Sequence, residues 1–156
     1  MKKWMIILLP VFLGLGVAFA WWGPFQGSTP AGGQPVVVVY KSPTCGCCGK
    51  WEEHLKAAGF QIESRPTEAM NPIKAEHGVP VDLQSCHTAL VEGYVVEGHV
   101  PAASIKKLLA EKPVGVKGIS VPGMPIGSPG MEGPNPEKYD VVTINDAGKS
   151  EVFESY

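Results

Sequence analysis

Val36-Val37-Val38-Val39-Tyr40, followed at once by Cys45-Gly46-Cys47-Cys48, is the stretch whose reading decides the fold. The β-branched run suits a short buried strand, and residues 49–58, closed by Gly59, suit a helix with a left-handed C-terminal cap. Cys45 and Cys48 stand in C-x-x-C spacing, which between a buried strand and a helix suits a redox dithiol. Cys47 does not belong to that reading. A third thiol inside the turn would scramble a simple dithiol, but it gives a soft cation such as Cu(I) the dense thiolate patch it prefers. The remaining cysteine, Cys86, lies beside His87 in Ser85-Cys86-His87-Thr88. All four thiols and one imidazole therefore fall in two short segments.

Working outward, residues 60–65 alternate as a second strand and residues 67–77 read as a second helix ending at Gly78. Residues 88–91 and 94–97 read as strands joined across Glu92-Gly93, and Pro101 opens a third helix through Ala110. The order β-α-β-α-β-β-α is the thioredoxin-like arrangement, an α/β fold in which the first two strands are parallel and the last two form a hairpin. In that arrangement the loop before the third strand faces the C-x-x-C turn. Here it carries Cys86 and His87 where a thioredoxin would place a cis-proline, so a thiol and an imidazole point at the three-cysteine turn. Pro80 and Pro101 are the alternative cis-proline candidates.

The N-terminus sets the compartment. Lys2 and Lys3 precede an apolar run from Trp4 to Trp22, with no charge until Lys41. Residues 1–22 thus read as a signal peptide or an N-terminal membrane anchor: Ala18-Phe19-Ala20 has the small-x-small pattern of a cleavage site, yet the run is long enough to span a bilayer. Both outcomes export the rest of the chain, in a bacterium to the periplasm. Residues 23–35, rich in Gly, Pro, Ser and Gln, read as a flexible linker. Residues 36–112 form the thioredoxin-like domain.

Of 13 basic and 15 acidic residues, removing Lys2 and Lys3 leaves 11 against 15, a formal charge of −4 for the exported part. That charge and the lack of a basic cluster argue against nucleic acid as a partner. Membrane contact is expected only through the N-terminal segment, and the domain is expected to be a monomer. Three cysteines crowded into four positions make a poor structural disulfide framework and look like a site.

Residues 113–156 read as a C-terminal extension. Six prolines and six glycines fall between Pro113 and Pro136, a density too high for a helix or a central strand. Within it, Met124 in Pro122-Gly123-Met124-Pro125 and Met131 in Ser128-Pro129-Gly130-Met131 offer soft thioether donors that cannot form disulfides. Packing is the competing reading for both. Met124, with prolines close on both sides, is expected to be held more firmly than Met131, which follows a glycine. Residues 139–144 and 150–153, flanking Asp146-Ala147-Gly148-Lys149, read as a terminal β-hairpin that pins the loop down.

Cys45-Gly46-Cys47-Cys48, Ser85-Cys86-His87-Thr88, Glu97-Gly98-His99-Val100-Pro101 and the run from Pro122 to Glu132 together resemble the CopG-type periplasmic copper-resistance proteins. The resemblance runs from about Val36 to the C-terminus and rests on four motifs in order. It implies a thioredoxin-like domain whose extension helps bind copper, and a role in handling periplasmic copper, including interconversion of its oxidation states.

The residue chemistry is consistent with that. Cysteines at a helix N-terminus have their pKa lowered by the helix dipole, and thiolate is the species that binds metal. Adjacent Cys47 and Cys48 cannot readily both chelate one ion along with Cys45, so bridging several ions is the easier geometry. Four thiolates each bridging two Cu(I) ions would be neutralised by about four coppers. The candidate metal ligands are Cys45, Cys47, Cys48, Cys86, His87, His99, Met124 and Met131, with Cys45 and Cys48 also the candidate redox pair. Imidazole suits Cu(II) as well, so the mixed set tolerates both oxidation states.

Alternatives stay open for each. Cys45 and Cys48 suit a plain redox disulfide, Cys86 a disulfide with Cys47, and His87 and His99 loop hydrogen bonds. His54 reads as a solvated helix residue. The functional classes are a copper redox protein with an electron-transfer partner, a Cu(I) buffer serving a copper efflux system, and a thiol–disulfide oxidoreductase.

Overall fold

The computed structural model describes residues 33–145 and 149–156, so the assignments for 1–22 and for most of the linker lie outside the described residues, as does most of the terminal turn. Among the described residues, seven strands form one sheet in the order β2-β1-β3-β4-β5-β6-β7. The strands are β1 (Val36–Lys41), β2 (Gln61–Pro66), β3 (His87–Val91), β4 (Tyr94–Glu97), β5 (Val116–Ser120), β6 (Asp140–Asn145) and β7 (Val152–Ser155), and the helices are α1 (Gly46–Ala57), α2 (Met70–Glu76) and α3 (Ala102–Glu111). The first seven elements follow the thioredoxin-like order, with β1 parallel to β2 and antiparallel to β3.

Alternation along the strands sorts the side chains onto two faces. Val37, Val39, Ala89, Val91 and Val96 join Trp51 and Leu55 of α1 and Ile105 and Leu108 of α3 in the main core. Val95, Leu90 and Ile144 point the other way and pack with Val79 and Leu83, from the segment after α2. Buried Cys48, Trp51, Glu52 and Leu55 follow the i, i+3, i+4, i+7 spacing of one helix face. That face explains why α1 starts at Gly46 and not at residue 49: Cys48 belongs to the same buried stripe as Trp51. Gly59 caps the helix at φ +95°, as its lack of a side chain allows.

Three expectations need correction. Neither Pro80 nor Pro101 follows a cis bond, since no described peptide bond is cis; Pro101 is the N-cap of α3 at φ −60°. The second helix starts at Met70 because Thr67 Oγ1 accepts from Ala69 N–H at 3.0 Å and holds a turn there instead of capping a helix. The Pro/Gly-rich region does contain an interior strand: β5 lies between parallel β4 and antiparallel β6. Gly118 makes it possible, because a Cβ there would collide with the Val95 carbonyl. Among the described residues, no helix is long and apolar enough to cross a membrane.

Candidate metal centre

Four segments converge at one pole of the sheet: the first turn of α1, the residues leading into β3, the turn between β4 and α3, and the loop after β5. Cys45 is the N-cap of α1 and makes no side-chain capping bond, so its sulfur is left to the site. Cys45 and Cys48 form a disulfide, whereas Cys47 and Cys86 are free thiols. Cys47 Sγ lies 3.5 Å from Cys45 Sγ, and Cys86 Sγ lies 3.5 Å from Cys48 Sγ. The pairing of Cys86 with Cys47 in a disulfide is therefore not adopted.

The sulfurs of Cys45, Cys47, Cys48 and Cys86 all lie within 4.8 Å of one another, and Cys86 forms a second group at the same limit with His87 and His99. Cys86 Sγ is 3.2 Å from His87 Nδ1 and 3.0 Å from His99 Nε2. Hydrogen-bond logic fixes the protons. His99 Nδ1 faces the Pro129 carbonyl at 2.8 Å, which only accepts, so Nδ1 carries the proton and Nε2 offers a lone pair toward Cys86. The single Cys86 S–H then donates to His99, and His87 Nδ1 donates to the Cys86 sulfur. That leaves His87 Nε2 buried with no hydrogen-bond partner among the described residues. The His87 ring packs 4.3 Å from that of Trp51, which is itself held by an Nε1–H bond of 2.8 Å to the Val100 carbonyl. Trp51 is thus core packing beside the centre.

Burial sets the proton affinities. The Cys86 thiol is pushed up to about 12 by burial first and by the neighbouring Cys47 second. His87 falls well below the ordinary imidazole value through burial, and secondarily through His99 and the cations Lys74 and Lys41. His99 is also lowered by burial, against the opposing pull of the Pro129 carbonyl and Glu132. Both imidazoles are accordingly neutral near pH 7, the form that ligates metal.

The extension reaches the centre by backbone contact. Gly130, at φ +85°, rests on the first turn of α1: an added Cβ would lie 2.7 Å from the Cys47 carbonyl oxygen and 2.9 Å from Trp51 N. Met131 consequently lines a cleft of about 450 Å³ with Cys47, Lys50, Ile126 and Glu132. Met124 is 51% exposed. It follows Gly123, which pairs with Ser85 in an isolated parallel bridge and accepts from the Ser85 hydroxyl. Met131 is therefore the more firmly placed of the two, the reverse of the expectation from the flanking prolines.

Sequence reasoning missed two features. His54 is half-buried, not solvated; its Nε2 accepts from Ala102 N–H at 3.1 Å and so satisfies a free donor at the start of α3. Lys74 and Glu97 form a buried ion pair behind Cys86. The one sequence signal for it is an acid ending the otherwise apolar strand Val95-Val96-Glu97.

The assembled donors are soft sulfur and borderline imidazole, and no carboxylate joins either group among the described residues. Such a set suits Cu(I), and with its imidazoles Cu(II), far better than the hard cations that take oxygen. Reduction of the disulfide by two electrons would place four thiols in one pocket.

A family model described as a protein of unknown function, DUF411, matches residues 83–131, the stretch holding Cys86, His87, His99, Met124 and Met131. No curated protein sequence matches the chain. Two solved structures, titled as Form 1 and Form 2 of the copper resistance protein CopG, are similar with a TM-score of 0.74 each. They are 41% and 40% identical to this chain, and each comparison covers 79% of it and 98% of the other. Identity at that level across nearly the whole of both structures, with the cysteine turn and the Cys-His segment brought face to face, places the chain in the CopG copper-resistance protein family.

Proposed function

We propose that this is an exported copper-handling protein whose reduced form holds several Cu(I) ions on bridging thiolates of Cys45, Cys47, Cys48 and Cys86. His87 and His99 supply imidazole at the buried end, and the thioethers of Met131 and Met124 serve the outer end. The observation that carries this reading is that Cys86 belongs to both donor groups, joining four sulfurs and two neutral imidazoles into one continuous set. Copper exchanges at Cys47, the cysteine that opens onto the cleft, while Cys48, His87 and His99 are fully buried.

Interconversion of oxidation states follows from the same atoms. Two Cu(II) ions can take the two electrons released when the Cys45 and Cys48 thiols join as a disulfide, with two protons leaving. An external periplasmic electron-transfer partner restores the dithiol, and a copper efflux system is the natural recipient of the Cu(I). Residues 1–22 as signal peptide or anchor and 23–35 as linker complete the reading, with residues 36–112 as the thioredoxin-like domain and 113–156 as the extension that closes the site. The protein acts as a monomer in the periplasm.

Anaerobic titration of the reduced protein with Cu(I) against a chromophoric chelator tests the proposal. Several tightly held ions per chain, about four by thiolate neutralisation, are expected. Retention of none refutes it. The Cys45–Cys48 disulfide supports a second reading, a thiol–disulfide oxidoreductase, which predicts catalysed insulin reduction that survives Cys47→Ser.

A further inference from the structure

Directly behind the Cys86–His87 segment lies a charge pair with almost no exposure: the side chain of Lys74 is 5% exposed and that of Glu97 is 0%. Each of its charged groups is hydrogen-bonded more than once. Glu97 Oε1 accepts from Lys74 Nζ at 2.5 Å and from the backbone N–H of Ser85 at 2.7 Å. Glu97 Oε2 accepts from Thr88 Oγ1 at 2.7 Å, and Lys74 Nζ also donates to Thr88 Oγ1 at 3.1 Å. One carboxylate thus grips the residue before Cys86 and the residue after His87. The strand that carries it delivers His99 two positions later.

The approach is prepared by Gly98. A Cβ there would lie 2.5 Å from Ser85 Oγ and Cβ and 2.7 Å from the Val121 carbonyl oxygen, so only glycine lets Ser85 come so near β4. Gly98 N–H donates to the His87 carbonyl at 3.0 Å, closing the frame. The fold does not need a charge here, because a buried ion pair is commonly matched in stability by apolar residues of similar volume. What apolar residues cannot do is accept the Ser85 amide, which lies just outside the β3 ladder. A one-residue drift of that peptide would carry the Cys86 sulfur away from Cys48 and His99 together.

We infer that Glu97 is a positioning residue of the metal centre: its carboxylate holds the Ser85–Cys86 peptide so that the Cys86 sulfur stays between Cys48 and His99, and Lys74 is the counter-charge that lets a carboxylate be buried there. The purpose assigned to this clamp rests on the copper reading, although the clamp itself is independent of it.

Two double variants test it. K74M/E97Q removes both charges but keeps an acceptor for the Ser85 amide, and its amide nitrogen can donate to Thr88. K74M/E97M removes the acceptor as well. With hydrogen exchange at the Ser85 amide, alkylation of metal-free Cys86 and Cu(I) affinity as readouts, K74M/E97Q should match the wild type within about threefold. K74M/E97M should expose the Ser85 amide, alkylate faster at Cys86 and lose roughly 10–100-fold in Cu(I) affinity, the usual cost of removing a residue that orients a ligand. In a Cys86→Ser background the affinity difference between the two variants should vanish.

Native Cu(I) affinity and native Cys86 alkylation in K74M/E97M would overturn the inference. So would an equal loss in both variants, a loss that persists without Cys86, or a K74M/E97M that fails to fold while K74M/E97Q folds, since each assigns Glu97 to the fold alone. If the wild type retains no Cu(I), the copper reading fails, and the amide-exchange and alkylation contrast still decides the clamp.

Discussion

Replacing Gly130 with alanine should detach the extension from the centre while leaving the sheet intact. Gly130 is buried at φ +85°, and the new Cβ would sit 2.7 Å from the Cys47 carbonyl oxygen, 2.9 Å from Trp51 N and 3.3 Å from Trp51 Cα. All three are backbone atoms of α1, which cannot swing aside as a side chain tip would. A left-handed conformation costs an L-residue roughly 1–2 kcal/mol, and overpacking of a close contact adds about 1–3 kcal/mol. The cost of roughly 2–5 kcal/mol by those two terms is relieved if the loop lifts, so the measured loss cannot exceed what loop docking contributes. Lifting also removes the Pro129 carbonyl that fixes the His99 tautomer and moves Met131 off Cys47.

Two glycines of the same chain serve as controls. At Gly123, φ is +69° with no atom of the described residues within 4 Å of an added Cβ, so alanine there carries the conformational cost alone. At Gly46, in the first turn of α1, neither obstacle exists, and alanine should be neutral or stabilising by up to about 1 kcal/mol through the unfolded chain. Chemical denaturation should rank the losses Gly130→Ala, then Gly123→Ala, then Gly46→Ala, and histidine NMR should show His99 losing its fixed Nδ1–H form only in the first. A Gly130→Ala protein no less stable than Gly123→Ala, with the His99 tautomer unchanged, would refute the reasoning.

Three further outcomes are expected. His54, His87 and His99 are all lowered, chiefly by burial, so below about pH 6.5 the unfolded chain takes up protons that the folded one refuses; urea titrations should find metal-free stability full above that pH and falling below it, by at most about 1.4 kcal/mol per pH unit for each such proton, and a flat profile from pH 7.5 to 5.5 would contradict this. Cys86→Ser should lower Cu(I) stoichiometry as severely as Cys45→Ser despite the distance in sequence, and Cys47→Ser should slow copper exchange most; unchanged copper content in Cys47→Ser would remove it from the donor set. Met131→Leu should weaken Cu(I) retention more than Met124→Leu at a stability cost below about 1.5 kcal/mol for each, and equal, native retention in both would make the loop a structural cover.

The strands and helices that could be read in advance are those whose periodicity is carried by their own residues. β1, β4 and α3 fall within two residues of their expected bounds because Val36-Val37-Val38-Val39-Tyr40, Tyr94-Val95-Val96-Glu97 and Ile105, Leu108 and Leu109 state their period directly. β5 was illegible for the opposite reason. Val116-Lys117-Gly118-Ile119-Ser120 sits in proline- and glycine-rich surroundings, and its place in the sheet depends on the Val95 backbone accepting a residue without a side chain. Local composition argues against a strand there, and tertiary pairing overrides it.

The candidate centre divides along the same line. Cys45, Cys47, Cys48, Cys86, His87 and His99 advertise themselves, because few other roles ask for that donor chemistry at such density. What holds them in register is spoken in residues that carry no chemical signature: a glycine at 130 that is a contact surface, a proline at 129 whose carbonyl selects the His99 tautomer, and a lysine and glutamate from distant elements that meet only in the fold. The prolines beside Met124 mislead for a related reason. A proline stiffens its own backbone, but a side chain is fixed by what the segment docks against, and Gly130 docks on buried α1 backbone while Met124 stays half exposed. Ligand identity is therefore written locally and ligand geometry non-locally. Gly130→Ala and the loss of the acceptor at Glu97 should accordingly disturb the centre without removing a single donor atom from it.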